Sequence, residues 1–185
     1  MFGKISIIGC GLIGSSILRA VEEKKLALKV SVHDKSIQVI EYLKKNFSVD
    51  ICTNISEATI DADLVIISAP LSSYKEILLS IKSSFKEGSI LTDTGSAKKE
   101  VNKIVTNLGL KNINWIASHP IAGTEYSGPA AGFSNLFKNR WCILSADSRV
   151  AKEKIENLEK FWSKLGSKVK VMSFEDHDYV LSLTS

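Results

Sequence analysis

The sequence has few cysteines, and their number and positions exclude two kinds of cysteine-based scaffold. The three cysteines stand at positions 10, 52 and 142, so no Cys-x-x-Cys metal site is present. An odd, widely spaced set also does not suit a disulfide framework. Cys52 and Cys142 lie in apolar, strand-like segments and are interpreted as small buried hydrophobic residues. A reducing cytoplasm is therefore the expected compartment.

Long apolar runs and proline-rich segments are missing as well. No run approaches the roughly 20 apolar residues that are needed to cross a bilayer, so no membrane partner is expected. The chain opens with MFGKISIIG, which already has the character of a strand, and we expect no secretory signal. The chain has only three prolines and no Pro/Gly-rich linker, so nothing divides it into two large domains.

Arginine is rare too, because it supplies only three of the 24 basic residues. With 20 acidic residues, the net charge is +4. The lysines are spread over predicted helix faces, in EEKK, YLKKN and AKKEVNK, which is typical of a solvated surface. Nucleic-acid binding requires a concentrated basic stripe, usually with aromatic residues for stacking, and the sequence has neither. We therefore expect no nucleic-acid partner.

What the chain does contain is an alternation of short apolar runs and longer segments of helical period. Strands that are apolar throughout and separated by helices indicate an α/β fold, with a mainly parallel sheet covered by helices on both faces. The predicted strands are residues 4–9, 28–33, 63–68, 89–92, 114–118, 141–145 and 168–172. The predicted helices are residues 12–25, 36–46, 71–84, 96–108, 150–165 and 174–185.

The most informative short motif is SIIGCGLIGS, residues 6–15, in which three glycines follow the first predicted strand. Gly9 makes a tight turn, Gly11 lets a pyrophosphate approach the backbone, and Gly14 lets the following helix pack against the strand. The helix N-terminus adds N–H groups and a partial positive charge for a phosphate. We therefore predict a Rossmann-type, doubly wound fold that binds a dinucleotide. The alternative is an ordinary structural glycine turn. The predicted contacts within the loop are Gly9, Cys10, Gly11, Leu12, Ile13 and Gly14.

An acidic residue completes the dinucleotide pattern. Asp34 lies 20 residues after Gly14, directly after the second predicted strand, where a carboxylate accepts hydrogen bonds from ribose hydroxyls. It also repels a 2′-phosphate, which favours NAD over NADP as the cofactor. The adjacent Lys35 weakens that preference, because a cation reduces the repulsion.

Two further loops follow predicted strands and are expected at the same sheet edge. SAPLSS begins with Ser68, Ala69 and Pro70, which we assign to cofactor binding; the alternative is a plain strand-to-helix turn. In TDTGSAK, Thr94 and Gly95 are assigned to the cofactor as well.

His119 is the best candidate for acid–base chemistry. It emerges from a predicted strand into a glycine-containing loop, SHPIAGTEYSG, which is not where a core histidine is expected. An imidazole with a pKa near neutrality suits the removal of a hydroxyl proton while a hydride leaves for a nicotinamide. His33 is interpreted as a strand-end residue and His177 as a partner in helix capping.

Three other polar residues have plainer interpretations. Ser96 suits a helix N-cap as well as a functional role. Lys98 and Arg140 are interpreted as surface or helix-face charges.

Several segments together resemble the prephenate dehydrogenase family. They are GCGLIGSS, Asp34, SAP, DTGSAK, HPIAGTEYSG, LFKNR and the His-Asp pair at 177–178. The resemblance implies NAD-dependent oxidative decarboxylation of prephenate to 4-hydroxyphenylpyruvate, in tyrosine biosynthesis. It also implies that His119 accepts the hydroxyl proton, that Ser96 holds the hydroxyl and His119, and that Thr124 and Glu125 lie beside the substrate and nicotinamide.

The resemblance further implies a division of the chain and of the complete enzyme. Residues 1–172 would form the NAD-binding domain, and residues 173–185 would begin a helix that leads to a C-terminal helical domain. That further domain would form a homodimer and supply a substrate-binding arginine, so the 185 residues alone are expected to be inactive. The alternatives are an arogenate dehydrogenase, another hydroxyacid dehydrogenase of the same fold, and an NAD-sensing module without catalysis.

Overall fold

In the computed structural model, the protein is described by the backbone of residues 2–110 and 113–184 and by the side chains of residues 2–110 and 113–179. Over these residues eight strands form one sheet. They are β1 (Phe2–Ile8), β2 (Ala27–His33), β3 (Asp50–Ile51), β4 (Leu64–Ile67), β5 (Ile90–Asp93), β6 (Asn114–Pro120), β7 (Trp141–Ala146) and β8 (Lys168–Val171). Their order across the sheet is β3-β2-β1-β4-β5-β6-β7-β8.

The helices alternate with these strands. They are α1 (Leu12–Glu23), α2 (Ile37–Asn46), α3 (Ile55–Thr59), α4 (Tyr74–Ile81), α5 (Lys98–Asn107), α6 (Lys152–Leu165) and α7 (Phe174–Thr184). Two 3-10 turns, Leu71–Ser73 and Pro129–Ala131, complete the described elements. In that same part of the chain, no helix has the length and apolar character that a membrane crossing requires.

The strand order places a topological switch between β1 and β4, which are neighbours in the sheet although β2 and β3 lie between them in sequence. The pairs from β3 to β6 are all parallel. In an open α/β sheet, ligands bind at the carboxyl ends of the strands beside such a switch. The loops that follow β1 and β4 are therefore in the position of a nucleotide site.

Alternate residues of the central strands enter different cores, because successive side chains in a strand point to opposite faces. Ile66 packs in one buried cluster with residues of α1 and α6, whereas Val65 and Ile67 pack in a second cluster with residues of α4 and α5. Helices therefore cover both faces of the sheet. The predicted fold class, a Rossmann-type doubly wound and mainly parallel sheet, is confirmed.

Several predicted boundaries were wrong for identifiable reasons. The short β3 and α3 were not predicted, since two and five residues are too few to show a period. β7 runs antiparallel to β6, which an apolar run cannot reveal. The predicted helix 71–84 is a 3-10 turn followed by the shorter α4. Ser96 does not cap a helix, because α5 begins after Ala97 and has no side-chain cap.

Candidate functional site

The glycine loop between β1 and α1 is held tightly against the loop that follows β4. Gly9 has a φ of +91°, and a Cβ there would collide with the backbone carbonyl of Ser68. A Cβ on Gly14 would collide with the carbonyl of Gly9. These two glycines are therefore required by the turn itself and by the close approach of α1 to the loop.

Gly11 has a different environment. A Cβ built on it would meet no atom within 4 Å. The residue is the N-cap of α1, has no side chain to cap that helix, and lines a cavity of about 340 Å³. The amide groups at the start of α1, from Leu12 onward, and the positive end of the helix dipole are available for an anion there. Open space over an uncapped helix start fits the pyrophosphate of a dinucleotide.

Asp34 closes one side of this cavity and is fastened to the glycine loop. Its Oδ2 accepts the backbone N–H of Cys10 at 2.8 Å, and its Oδ1 accepts the backbone N–H of Ser36 at 2.8 Å. Each carboxylate oxygen has a further lone pair that could accept a ribose hydroxyl. Cys10 is fully buried, burial raises the pKa of its thiol, and its backbone N–H is already donated to Asp34, so Cys10 is not among the residues that line the cavity.

The other predicted cofactor residues divide into two groups. Ser68, Ala69 and Pro70 line the same cavity as Gly11 and Asp34. Thr94 is connected to them, because its hydroxyl donates to the Ser68 hydroxyl at 3.1 Å. The backbone N–H of Gly95 is instead used by a protein carboxylate, Oδ2 of Asp93, at 3.0 Å.

A buried ion pair lies below the loop that follows β5. Nζ of Lys98 lies 2.6 Å from each carboxylate oxygen of Asp93 and 2.6 Å from the carbonyl oxygen of Ser118, and both charged side chains have no exposed area. The Tyr74 hydroxyl and two backbone N–H groups, of Gly95 and Ser118, also donate to Asp93. This network joins β5, α5 and β6.

The interpretation of Lys98 as a surface charge was therefore wrong. Its aliphatic stem and ammonium are completely enclosed, and burial lowers the pKa of Lys98 while the Asp93 carboxylate acts against that shift. Arg140, by contrast, is exposed as expected.

His119 lies near the carboxyl end of β6, half-buried, between Ser118 and Pro120 of the same strand. Its Nδ1 lies 3.0 Å from Nε2 of His177. Nδ1 of His177 lies 2.8 Å from Oδ1 of Asp178, whose Oδ2 accepts the backbone N–H of Lys99 at 3.3 Å. These contacts form a chain of ring nitrogens and a carboxylate that runs from His119 to the first turn of α5.

His177 is thus not the capping residue that was predicted. Its side chain is only 1% exposed and both ring nitrogens face protein partners. His33 does lie at the end of β2, as predicted, with Nδ1 at 3.0 Å from the carbonyl oxygen of Cys52. Cys142 is buried as expected, whereas Cys52 is only half-buried.

The pKa of His119 is lowered to about 4. Burial is the largest cause, because it disfavours the charged imidazolium, and the Lys98 ammonium and His177 act in the same direction. The Asp178 carboxylate acts in the opposite direction. At neutral pH the ring is therefore uncharged and able to accept a proton.

Ser96, Thr124 and Glu125 are all exposed. Thr124 accepts the backbone N–H of Tyr126 at 3.2 Å, which shapes its own loop. Among the described residues, none of these three forms a hydrogen bond with His119. No group of three or more histidine, cysteine, aspartate or glutamate side chains suited to a metal ion occurs in that part of the chain.

Three residues of these networks, Tyr74, Asp93 and Asp178, had no role predicted from the sequence. A signal for Asp93 was present, because it follows the buried strand residues directly and precedes Lys98 by five positions. The His-Asp pair at 177–178 was noticed as a motif, but its contact with His119 depends on how α7 packs.

Known proteins match this chain in both sequence and structure. Residues 17–171 match the family model described as "Prephenate dehydrogenase, nucleotide-binding domain". The chain is 37% identical over 186 residues to cyclohexadienyl dehydrogenase of Zymomonas mobilis, covering 100% of this chain and 63% of the relative. It is 30% identical to prephenate dehydrogenase of Lactococcus lactis, covering 98% of this chain and 50% of the relative.

A crystal structure of prephenate dehydrogenase from Aquifex aeolicus, in complex with hydroxyphenyl propionate and NAD+, has a TM-score of 0.87 and 25% identity. That match covers 98% of this chain and 63% of the other. The chain therefore spans between half and two-thirds of the length of these relatives. Because the family model matches most of its residues, the chain belongs to the prephenate dehydrogenase family, whose nucleotide-binding domain it carries.

Proposed function

We propose that this chain is the NAD-binding part of an enzyme that oxidatively decarboxylates prephenate to 4-hydroxyphenylpyruvate. The observation that carries the proposal is the position of His119. β1, β4, β5 and β6 are parallel, so an uncharged imidazole near the end of β6 shares the sheet edge with the glycine loop and the Ser68 loop. A base and a dinucleotide cradle on one edge are the two parts that alcohol dehydrogenation requires.

The glycine loop, Asp34 and the Ser68–Pro70 segment would hold the cofactor. When bound, its nicotinamide supplies the hydride acceptor. The relative crystallised with NAD+ supports this choice of cofactor. Asp34 favours NAD over NADP, because a carboxylate facing the ribose hydroxyls repels a 2′-phosphate.

His119 would accept the proton of the substrate hydroxyl while the carbon that bears this hydroxyl loses its hydride and CO2 leaves the ring. The electron pair of the broken bond to CO2 stays in the ring, and the phenolate oxygen that results takes the proton back from His119. Formation of the aromatic product drives the step. We assign Ser96 to the hydroxyl and Thr124 and Glu125 to the substrate and nicotinamide, in accord with their exposure beyond β5 and β6. We further propose that the complete enzyme is a cytoplasmic homodimer, joined through a helical domain that follows α7.

Steady-state kinetics on the full-length gene product test this proposal, with prephenate and arogenate each assayed with NAD and NADP. His119→Asn should lower kcat by about 10²- to 10⁴-fold, since general base catalysis contributes that much. The Kd for NAD should remain unchanged, because His119 is not part of the glycine loop.

Each alternative has its own result. Arogenate turnover without prephenate turnover would identify an arogenate dehydrogenase. NAD binding without turnover of either substrate would identify a sensing module, and an unchanged kcat in the variant would remove His119 from the mechanism.

A further inference from the structure

The contacts of His177 determine which nitrogen of His119 carries the proton. Asp178 is half-buried, and its carboxylate can only accept hydrogen bonds while it is ionised. The hydrogen of the 2.8 Å contact therefore belongs to Nδ1 of His177. With one hydrogen on the His177 ring, already placed on Nδ1, Nε2 of His177 is an acceptor.

The acceptor role of His177 Nε2 also determines the tautomer of His119. Because Nε2 of His177 accepts, Nδ1 of His119 must donate in the 3.0 Å contact between the two rings. Nε2 of His119 then holds a free lone pair. A base that takes a proton from a hydroxyl needs such a lone pair. The opposite tautomer would direct an N–H toward the substrate and could accept nothing from it.

The far end of this chain of contacts is anchored. Oδ2 of Asp178 accepts the backbone N–H of Lys99 in the first turn of α5, where the positive end of the helix dipole favours a carboxylate. His177 is almost fully buried, so water does not compete for its nitrogens. The orientation of both rings is therefore fixed by α5 and α7 together.

We propose that His177 and Asp178 are positioning residues, which hold His119 in the tautomer that has an unprotonated Nε2. This inference rests on the proposed function of His119 as the base. The His-Asp pair of α7 therefore has a chemical role as well as a packing role. Through His177, it determines which nitrogen of His119, on β6, is free to accept a proton.

The groups that face His119 come from three elements. Lys98 of α5 contributes a cation, His177 and Asp178 of α7 contribute an imidazole and a carboxylate, and β7 contributes the buried Cys142 thiol, which is close to the His119 backbone N–H. Of these, the Asp178 carboxylate raises the pKa of His119 and the Lys98 ammonium lowers it. Loss of the Asp178 charge should therefore lower the pKa of the base.

The test uses the full-length gene product and compares two replacements of His177. His177→Met fills the buried space with a thioether, which is only a weak hydrogen-bond acceptor, whereas the amide oxygen of His177→Gln can accept a full hydrogen bond from Nδ1 of His119. His177→Met should lower kcat at least about tenfold, toward the roughly 10⁴-fold loss known for a triad histidine in the wrong tautomer. The KM should change less than about threefold, because only the base is affected. His177→Gln should recover most of the lost kcat.

Asp178→Asn provides a second variant with a different readout. The acidic limb of the pH profile of kcat/KM reports the pKa of the base in the free enzyme. This limb should move to lower pH in Asp178→Asn, because the carboxylate that favours the imidazolium is gone. Asp176→Asn is the matched control, since Asp176 lies on the same helix but is exposed and accepts from the Ser173 hydroxyl. Its profile should match the wild type.

Nitrogen NMR of the labelled wild-type protein and the two His177 variants measures the tautomer without any turnover. A proton on Nδ1 of His119 in the wild type and in His177→Gln, with a mixture in His177→Met, is the expected result. A proton on Nε2 in the wild type, or a kcat for His177→Met within about threefold of wild type, would overturn the inference. A protein with the expected tautomer that turns over neither substrate would instead refute the proposed function.

Discussion

The buried Lys98–Asp93 pair allows a quantitative prediction about stability. In Lys98→Met, the methionine fills much of the lysine volume but removes the three 2.6 Å contacts of Nζ with Asp93 and the Ser118 carbonyl. The Asp93 carboxylate would then be buried without a counter-charge. Breaking a buried ion pair on one side costs about 3–5 kcal/mol.

The lower end of this range applies, because three neutral donors still face Asp93, from Tyr74, Gly95 and Ser118. A loss of about 3 kcal/mol is a large part of a total stability of roughly 5–15 kcal/mol. For a chain of this size, it corresponds to a decrease in Tm of about 6–12 °C.

The assay is equilibrium unfolding in urea, with Lys99→Met as the matched control. Lys99 is the next residue of α5, and its side chain is exposed. That control should change the free energy of unfolding by less than about 0.5 kcal/mol. The double variant Asp93→Asn/Lys98→Met should lose less than the sum of the two single variants, because the charge and its partner are removed together. Equal stabilities of Lys98→Met and Lys99→Met, or simple additivity in the double variant, would refute the account of this pair.

Three substitutions test the nucleotide site. Gly11→Ala should have a free energy of unfolding within about 0.5 kcal/mol of wild type. It should weaken NAD binding about tenfold or more, because the added methyl group enters the open space over the start of α1. A normal NAD affinity in calorimetry would contradict this prediction. Gly14→Ala should instead destabilise the fold by about 1–3 kcal/mol or more, since its Cβ collides with the Gly9 carbonyl, and a melting temperature equal to that of wild type would exclude the collision. Asp34→Ala should weaken NAD binding and relax discrimination against NADP, and an unaltered ratio of the two Kd values would refute the ribose assignment.

Local patterns were sufficient for the parts of the fold that depend on local physics. The runs that became β1 and β4 are apolar because both faces of the sheet are covered, and this is visible in the letters alone. The glycine loop was equally predictable, since Gly9 and Gly14 answer steric demands of a strand–turn–helix unit and Gly11 leaves open space at the start of α1. The cavity that joins Gly11, Asp34 and Ser68 confirms that these segments meet.

Residues whose role depends on distant contacts were not predictable in this way. Lys98 stands in AKKEVNK, where helical lysines are ordinarily solvated, and only the start of α5 beneath the end of β5 encloses it. His177 is 58 residues from His119, so their contact exists only after α7 packs against α5 and β7. Tyr74 had no sequence signal, because its hydroxyl reaches the carboxylate of Asp93, which lies 19 residues away in the sequence.

A crystal structure of the full-length gene product with bound NAD tests the central claim most directly. The account predicts that the diphosphate rests on the amides at Gly11, that a ribose hydroxyl reaches Asp34, and that the nicotinamide ring extends toward Nε2 of His119. A dinucleotide bound elsewhere, or a nicotinamide directed away from His119, would contradict it.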